Sequence, residues 1–431
     1  MPIIADLHIH SRHSRACSKD LDITMLEHYA RIKGTHLLGT GDFTHPLWQK
    51  ELREKLTEDH TGILKTKTGM NFILQTEISL IYTQDGKGRK VHNVVLARNF
   101  EVMDQITETL KKKGRVDYDG RPIFGISCIE FMEMMQGIDK DIEVIPAHAW
   151  TPWFSLFGSN SGFDSIKECY GDMTKHIHAI ETGLSSDPPM NWRLSQLDGV
   201  DLVSSSDCHS YWPWRMGREA TLFDVKELTY DEILRSIRNQ EVAGTIEVDP
   251  NYGKYHFDGH RNCGVVMTPQ ESIKHKDICP KCHQQLTIGV LHRVEELADR
   301  PAGFKPKHAK PYYTLLPLAE LIAGLYNTAV SSKKMWEAYS PLIKAFDSEF
   351  NILMHVSEQE LLKVTHPKIA HAILLNRQAA IKVKPGYDGE YGVPVFDDVI
   401  EEKKERKPRE ARSASGLKTK EERQKGLTAF F

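Results

Sequence analysis

The chain lacks any run of 18 apolar residues, so no stretch of it reads as a membrane-spanning helix. It also lacks an excess of either charge. Its 56 Lys and Arg stand against 59 Asp and Glu, a net charge of -3, which excludes a global pull on nucleic acid and leaves any such contact to local patches. No basic-then-apolar leader opens the sequence, and the expectation is a soluble, intracellular, cytoplasmic protein. Cysteine is scarce: of seven, Cys17, Cys128, Cys169 and Cys208 are scattered singly and Cys263, Cys279 and Cys282 are clustered, which favours a metal site over a disulfide framework. With 431 residues, two or three domains and a core large enough for an enzyme are within reach.

What is present is histidine at the ends of apolar runs. Pro2-Ile3-Ile4-Ala5 leads into Asp6-Leu7-His8-Ile9-His10, and the period of two in a strand puts Asp6, His8 and His10 on one face with Leu7 and Ile9 on the other. Two neighbouring imidazoles offer lone pairs to a divalent ion. A helix is predicted over 21–33, closed by Gly34, and then residues 35–45 run from apolar to a Gly-rich polar end carrying Asp42 and His45. The strand 72–82 holds one acid, Glu77, which needs a cation or a basic partner if it is buried. A basic turn over 87–90 precedes a strand that begins at His92. Helices near 102–113 and 129–135 separate it from 142–150, which ends in His148 and Trp150. The aromatic loop that follows, with Trp150, Trp153, Phe154, Ser159 and Asn160, is a candidate for packing or for stacking a base. His176 and His178 open the next strand, at the end away from the other ligands, and 201–210 closes the series with Asp207 and His209 two apart. Strand-like runs alternating with helical ones and ending in ligand types predict an α/β barrel with its site at the strands' C-terminal ends.

Over residues 1–245 these motifs resemble the polymerase-and-histidinol-phosphatase (PHP) superfamily. The resemblance implies a distorted (β/α)7 barrel with three divalent ions, of Zn, Mn or Mg. It implies that His8, His10, Glu77 and Asp207 surround one ion, that Glu77, His92 and His148 surround a second, and that His209 serves a third. Gly41-Asp42-Phe43 departs from the usual Thr-Asp-His of the second motif, which leaves Asp42 and His45 as alternatives for the third site; His13 stands where a further ligand is expected.

Beyond residue 248 the pattern changes. His260 and Cys263, then Cys279 and Cys282 after a 15-residue gap, form a His-x2-Cys and Cys-x2-Cys pair that suits a closed tetrahedral zinc site, hence a structural one, with His256 and His283 as weaker alternatives to His260. Residues 290–400 read as mostly helical, with a local basic cluster over 305–310, and 401–431 as a charged, disordered tail. The tail ends in Gln424, Leu427, Phe430 and Phe431, which resembles a sliding-clamp-binding peptide. The expected divisions are 1–248, 249–289, 290–400 and 401–431.

Together, barrel, zinc module, helical region and terminal peptide are similar to the archaeal endonuclease Q family. That likeness implies a metal-dependent DNA repair endonuclease cutting 5′ of deaminated bases (hypoxanthine, uracil, xanthine) or abasic sites, with damaged DNA and the sliding clamp as partners and a nucleoid-associated location. Asp207 and His148 are the candidates for organising the attacking water. The alternatives are a small-molecule phosphoesterase of the histidinol-phosphate type and a non-catalytic clamp-bound scaffold.

Overall fold

Fourteen short runs rich in buried Ile, Leu and Val pair as strands along the first three quarters of the chain: β1 (Ile3–Asp6), β2 (Leu37–Gly39), β3 (Leu64–Lys65), β4 (Asn71–Gln84), β5 (Lys87–Ala97), β6 (Ile123–Phe124), β7 (Glu143–Pro146), β8 (Ala179–Glu181), β9 (Asp201–Val203), β10 (Ala220–Phe223), β11 (Gly244–Glu247), β12 (Asp258–His260), β13 (Val265–Met267) and β14 (Tyr312–Thr314). This computed structural model describes residues 2–396. Ten strands form one mixed sheet in the order β14-β11-β10-β1-β2-β4-β5-β7, with β3 and β6 each paired to β4. The pair β8–β9 is parallel and separate.

Two features of connectivity decide where the site lies. First, β4 and β5 are antiparallel from Leu74↔Ala97 to Gln84↔Lys87. They are joined by Asp85-Gly86, both at positive φ (53° and 74°), the backbone that a two-residue hairpin turn demands. The stretch 87–90, expected as the turn, is therefore the start of β5. Second, backbone contacts continue past the sheet. The Ala149 N–H donates to Glu181 O at the end of β8, and beyond β9 the chain returns to β1, where Ile9 bridges Cys208 in parallel. Contacts thus run from β1 through β2, β4, β5 and β7 to β8 and β9 and back to β1.

Beneath these strands the core is continuous. Leu7, Leu37, Ile73, Val94, Leu96, Ile145, Ala179, Val203 and Phe223 pack together, joined by Ile233 and Ile237 of the helix Tyr230–Arg238. Helix starts follow the local chemistry of capping. Asp22 accepts from the Met25 N–H to open Ile23–Lys33, Asn99 opens Phe100–Lys111, and Ser127 opens Cys128–Ile138. Gly34 at φ 89° ends the first of them, as its position predicts.

Residues 318–377 are helical, with Leu318–Tyr326, Lys333–Phe346, Glu349–Met354, Glu358–Val364 and Pro367–Arg377 closing on Leu321, Ile322, Trp336, Leu342, Ile369 and Ile373. A buried ion pair fastens it to the first helix. Lys33 Nζ lies 2.6 Å from Glu349 Oε1 while the Tyr339 O–H donates to Glu349 Oε2, so neither buried charge lacks a partner. The strands β15 (Lys382–Lys384) and β16 (Val393–Val395) form a last antiparallel pair.

Candidate metal centre and its cleft

The turns after β1, β7 and β9 and the middle of β5 converge on Glu77. It sits fully buried in the middle of β4 and presents its two oxygens to different neighbours. Oε2 lies 3.2 Å from His10 Nε2 and 3.6 Å from His8 Nε2; Oε1 lies 2.6 Å from His92 Nδ1 and 3.2 Å from His148 Nε2. Asp207 Oδ1 completes the first set, 3.0 Å from His10 Nε2 and 3.7 Å from His8 Nε2. Two groups result, His8, His10, Glu77 and Asp207, and Glu77, His92 and His148, each with its donor atoms within 4.8 Å of one another. His92 looked misplaced at a strand start. In the structure β5 begins earlier, at Lys87, so His92 falls in its middle, and the antiparallel pairing with β4 sets it opposite Ser79, two residues from Glu77.

Burial alone would deprotonate His8 and His10, but the carboxylates facing them prevail and raise both well above the ordinary imidazole range. Burial likewise opposes charge on Glu77, and His92, Arg121 and His8 outweigh it and hold its carboxyl well down. A divalent ion placed among the same carboxylates would leave the imidazoles neutral. The donor set fits one. His8 Nε2 is buried without a hydrogen-bond partner and faces two carboxylate oxygens, while its Nδ1 is held by Glu181 at 2.9 Å.

Behind the groups lies a layer of orienting contacts. Asp42 Oδ1 accepts from His10 Nδ1 at 3.0 Å, and its Oδ2 from the Ser11 N–H, the Ser11 hydroxyl and the Ser14 hydroxyl, so the structure places Asp42 behind His10 rather than within either group. His45 stacks on His13 with ring centroids 4.3 Å apart, away from both groups. His209 lies beside them, its ring 4.6 Å from that of His10 and its Nδ1 3.0 Å from Asp207 O. Asp6 clasps the Ser206 N–H, the Ser206 hydroxyl and the Gly217 N–H, which fixes the turn that carries Asp207. Asp42, His148 and Asp207 all have positive φ (45°, 30° and 46°), backbone strain concentrated at the ligand-bearing turns.

A cleft of about 950 Å³ opens over Asp207, His148, His92 and His209. The aromatic loop divides there. Trp153 is 37% exposed and Phe154 lies 4.7 Å from the His92 ring, both lining the cleft. Trp150 is buried, its indole N–H given to Asn191, and it packs on Phe157. Ser159 donates to Ile288 O, while Asn160 is exposed.

Sequence reasoning passed over Arg121 and Glu181. Arg121 Nη1 lies 3.0 Å from Glu77 Oε2 and the side chain borders the cleft, delivered by a loop whose Gly120 packs so closely that a Cβ would lie 2.3 Å from Asp42 Oδ2. An isolated arginine in a loop carries no periodic signal. Glu181 accepts from His8 Nδ1 and from the His148 N–H, and its position at the end of β8 was the one available clue.

Away from the cleft, His260, Cys263, Cys279 and Cys282 offer four donor atoms within 4.8 Å of one another, His260 Nδ1 and Cys282 Sγ being 3.3 Å apart. Burial would raise the Cys279 thiol, but the backbone N–H groups of Cys282 and Lys281 bring it down to about 6, towards the thiolate that metals take. His256 instead faces Ser185 O, and neither it nor His283 belongs to this group. Lys310 of the basic cluster pairs with Asp201. Gln424, Leu427, Phe430 and Phe431 lie outside the described residues.

Residues 317–380 match the family described as the MJ0043 C-terminal domain. Among relatives, uncharacterized protein MJ0043 of Methanocaldococcus jannaschii is 37% identical over 255 residues, which cover 57% of this chain and 31% of that one. This chain thus spans about a third of that relative's length. Uncharacterized protein YqxK of Bacillus subtilis is 27% identical over 412 residues, 90% of this chain and 98% of its own. Two solved structures match at 32% identity. One is the lesion-specific endonuclease PfuEndoQ from Pyrococcus furiosus, with TM-score 0.83 over 94% of this chain and 98% of that one. The other is endonuclease Q in complex with a 27-mer duplex substrate with an abasic lesion at the active site, with TM-score 0.84 over 94% and 99%.

Proposed function

This chain belongs to the endonuclease Q family, and from that membership and the geometry around Glu77 we propose that it is a metal-dependent DNA repair endonuclease cutting the phosphodiester 5′ of a deaminated base or an abasic site. The observation that carries this reading is one buried carboxylate shared by two ligand groups at the floor of a cleft. We read residues 1–248 as a distorted (β/α)7 barrel, 249–289 as a module on a structural zinc held by His260, Cys263, Cys279 and Cys282, and 290–400 as a helical domain.

His8, His10, Glu77 and Asp207 would hold one divalent ion and Glu77, His92 and His148 a second, with His209 serving a third. Asp42 acts through His10, since its oxygens are already taken by four hydrogen bonds. When bound, such ions neutralise phosphate charge and make a water acidic enough to attack at neutral pH. The chain's own groups do the rest. Asp207 and His148, both bordering the cleft, would organise that water, and the Asp207 carboxylate oxygen not turned to His8 and His10 would take its proton. Arg121 donates to a non-bridging phosphate oxygen, for which its planar fork is suited. Water oxygen bonds to phosphorus as the bond to the 3′ oxygen breaks, leaving 3′-hydroxyl and 5′-phosphate ends. Trp153 and Phe154 line the space into which an extruded nucleotide would turn, at least cost where a base is mispaired or missing.

The test is direct. End-labelled duplexes carrying one hypoxanthine, uracil, abasic or undamaged position are incubated with Mn or Mg and both product termini are mapped. Cleavage of the lesion strands alone, 5′ of the lesion and abolished by chelator, is expected; equal cutting of undamaged duplex, or none of any, would refute the reading.

We also propose that Gln424, Leu427, Phe430 and Phe431 tether the enzyme to a sliding clamp. Deleting 424–431 is expected to abolish clamp binding measured by surface plasmon resonance while kcat/KM on a short free duplex stays the same. Unchanged clamp affinity would show the peptide match to be accidental.

A further inference from the structure

Two carboxylates that the mechanism above does not use lie away from water. β10 and β11 run antiparallel with Ala220 opposite Ile246, so Glu219, just before the one, and Glu247, just after the other, face each other on the side that carries Thr221 and Thr245. Both are fully buried. The surroundings of Glu247 favour an anion: its Oε2 accepts from the Thr182 and Ser204 hydroxyls at 3.0 and 2.9 Å, and the Thr245 hydroxyl adds to them. Those of Glu219 do not. The Val248 N–H donates to its Oε1 at 3.2 Å, while its Oε2 is buried without a hydrogen-bond partner. Of the other charged groups, Arg218 favours charge on Glu219, whereas Glu181 opposes it there and Asp187 opposes it on Glu247. Burial first, and the carboxylate opposite it second, push Glu219 well above the ordinary range, and burial pushes Glu247 up to about 8.

Two like charges buried on facing residues repel with little solvent to screen them, and one shared proton removes the conflict while giving Glu219 Oε2 the partner it lacks. We propose that Glu219 holds a proton at neutral pH and donates it to Glu247, and that the acid–carboxylate pair so formed positions the turns after β8 and β9. Glu247 reaches both turns. The Thr182 hydroxyl that it accepts from follows Glu181, which holds His8 Nδ1 and the His148 N–H, and the Ser204 hydroxyl stands three residues before Asp207. One carboxylate thus ties together the segments that set ligands of both groups around Glu77. Glu219 and Glu247 are positioning residues, acting through Thr182 and Ser204. That role rests on the nuclease reading above; the shared proton does not.

Glu219→Gln keeps a donor for Glu247 and cannot ionise, which gives the test its probe. In the unfolded chain Glu219 loses its proton near 4.5, whereas folded it keeps the proton well above that, so the parent loses stability as pH rises from about 4.5 and the variant does not share the loss. The melting temperature of Glu219→Gln less that of the parent is expected to be small at about pH 5 and to reach at least about 4 °C at about pH 9. At neutral pH the infrared carbonyl stretch of a protonated carboxyl should be present in the parent and weaker in the variant. For the positioning role, kcat and KM are measured on a duplex with one abasic position. Glu247→Ala, which frees both hydroxyls, should lose at least about tenfold in kcat with KM within about threefold, and Glu247→Gln, whose amide oxygen still accepts from them, should recover most of the loss. A melting difference equal at both pH values, or an additional equivalent of bound metal in the parent in place of the infrared band, would overturn the shared proton. Loss in Glu247→Gln as deep as in Glu247→Ala would overturn the positioning role. Should Glu247→Ala fail to fold, Glu247→Gln against the parent decides the role, full kcat supporting it and a tenfold loss refuting it. A parent that cuts no lesion duplex would refute the nuclease reading instead, and the melts of Glu219→Gln still decide the proton.

Discussion

Asp207→Asn is expected to lower kcat/KM for lesion cleavage by at least about a thousandfold, some 4 kcal/mol of transition-state stabilisation, while duplex affinity changes by less than about threefold. The change keeps the shape of the side chain and removes the charge that faces His8 and His10 at 3.7 and 3.0 Å. Losing that carboxylate strips one donor from the first ligand group and weakens every ion that the group would hold. Binding is spared because the grip on DNA comes from cations meeting phosphates, and one negative charge fewer does not weaken it. His148→Ala, in the second group, should behave alike. Cleavage assays under single-turnover conditions with fluorescence anisotropy on the same duplex separate the two quantities. Full cleavage by either variant would remove that residue from the mechanism.

Cys279→Ser is expected to lower the melting temperature by at least about 5 °C, the shift that a loss of a few kcal/mol produces in a protein of this size. Cys279 is fully buried, packed with Val265 and Leu286, and the module around it has few other apolar residues to hold it. In so small a core the energy of metal binding is the energy of folding. A chelator should therefore lower the parent's melting temperature by more than the variant's, since the variant has already lost the metal of this module and gives up only ions held around Glu77. Superimposable melts for parent and variant, with and without chelator, would refute a structural metal here.

Periodicity and spacing named His8, His10, Asp42, Glu77, His148, Asp207 and His209 because strand ends repeat a simple pattern that survives in one dimension, whereas His92, at the start of its predicted strand, entered only through the PHP resemblance. The four-residue Cys/His set was legible for the same reason, since its spacing is short and its chemistry narrow. Arg121 and Glu181 escaped because the partners they hold, Glu77 and His8, stand 44 and 173 residues away and no local pattern marks them. Asp42 was found but its place was not. Only the fold shows that its oxygens are taken by His10, Ser11 and Ser14.

By itself, then, the sequence offered side chains of metal-ligating type and put His8, His10, His148, Asp207 and His209 at or beyond the ends of buried strands, since residue type and a period of two mark both. Tertiary structure alone decided which of them meet. The antiparallel pairing of β4 with β5 carries His92 to Glu77, and the return of the chain past β9 to β1 carries Asp207 to His8 and His10. The reason is physical. Local patterns fix which face a side chain takes, whereas distances between residues far apart in the chain are set only when strands pair and a shared core closes over them.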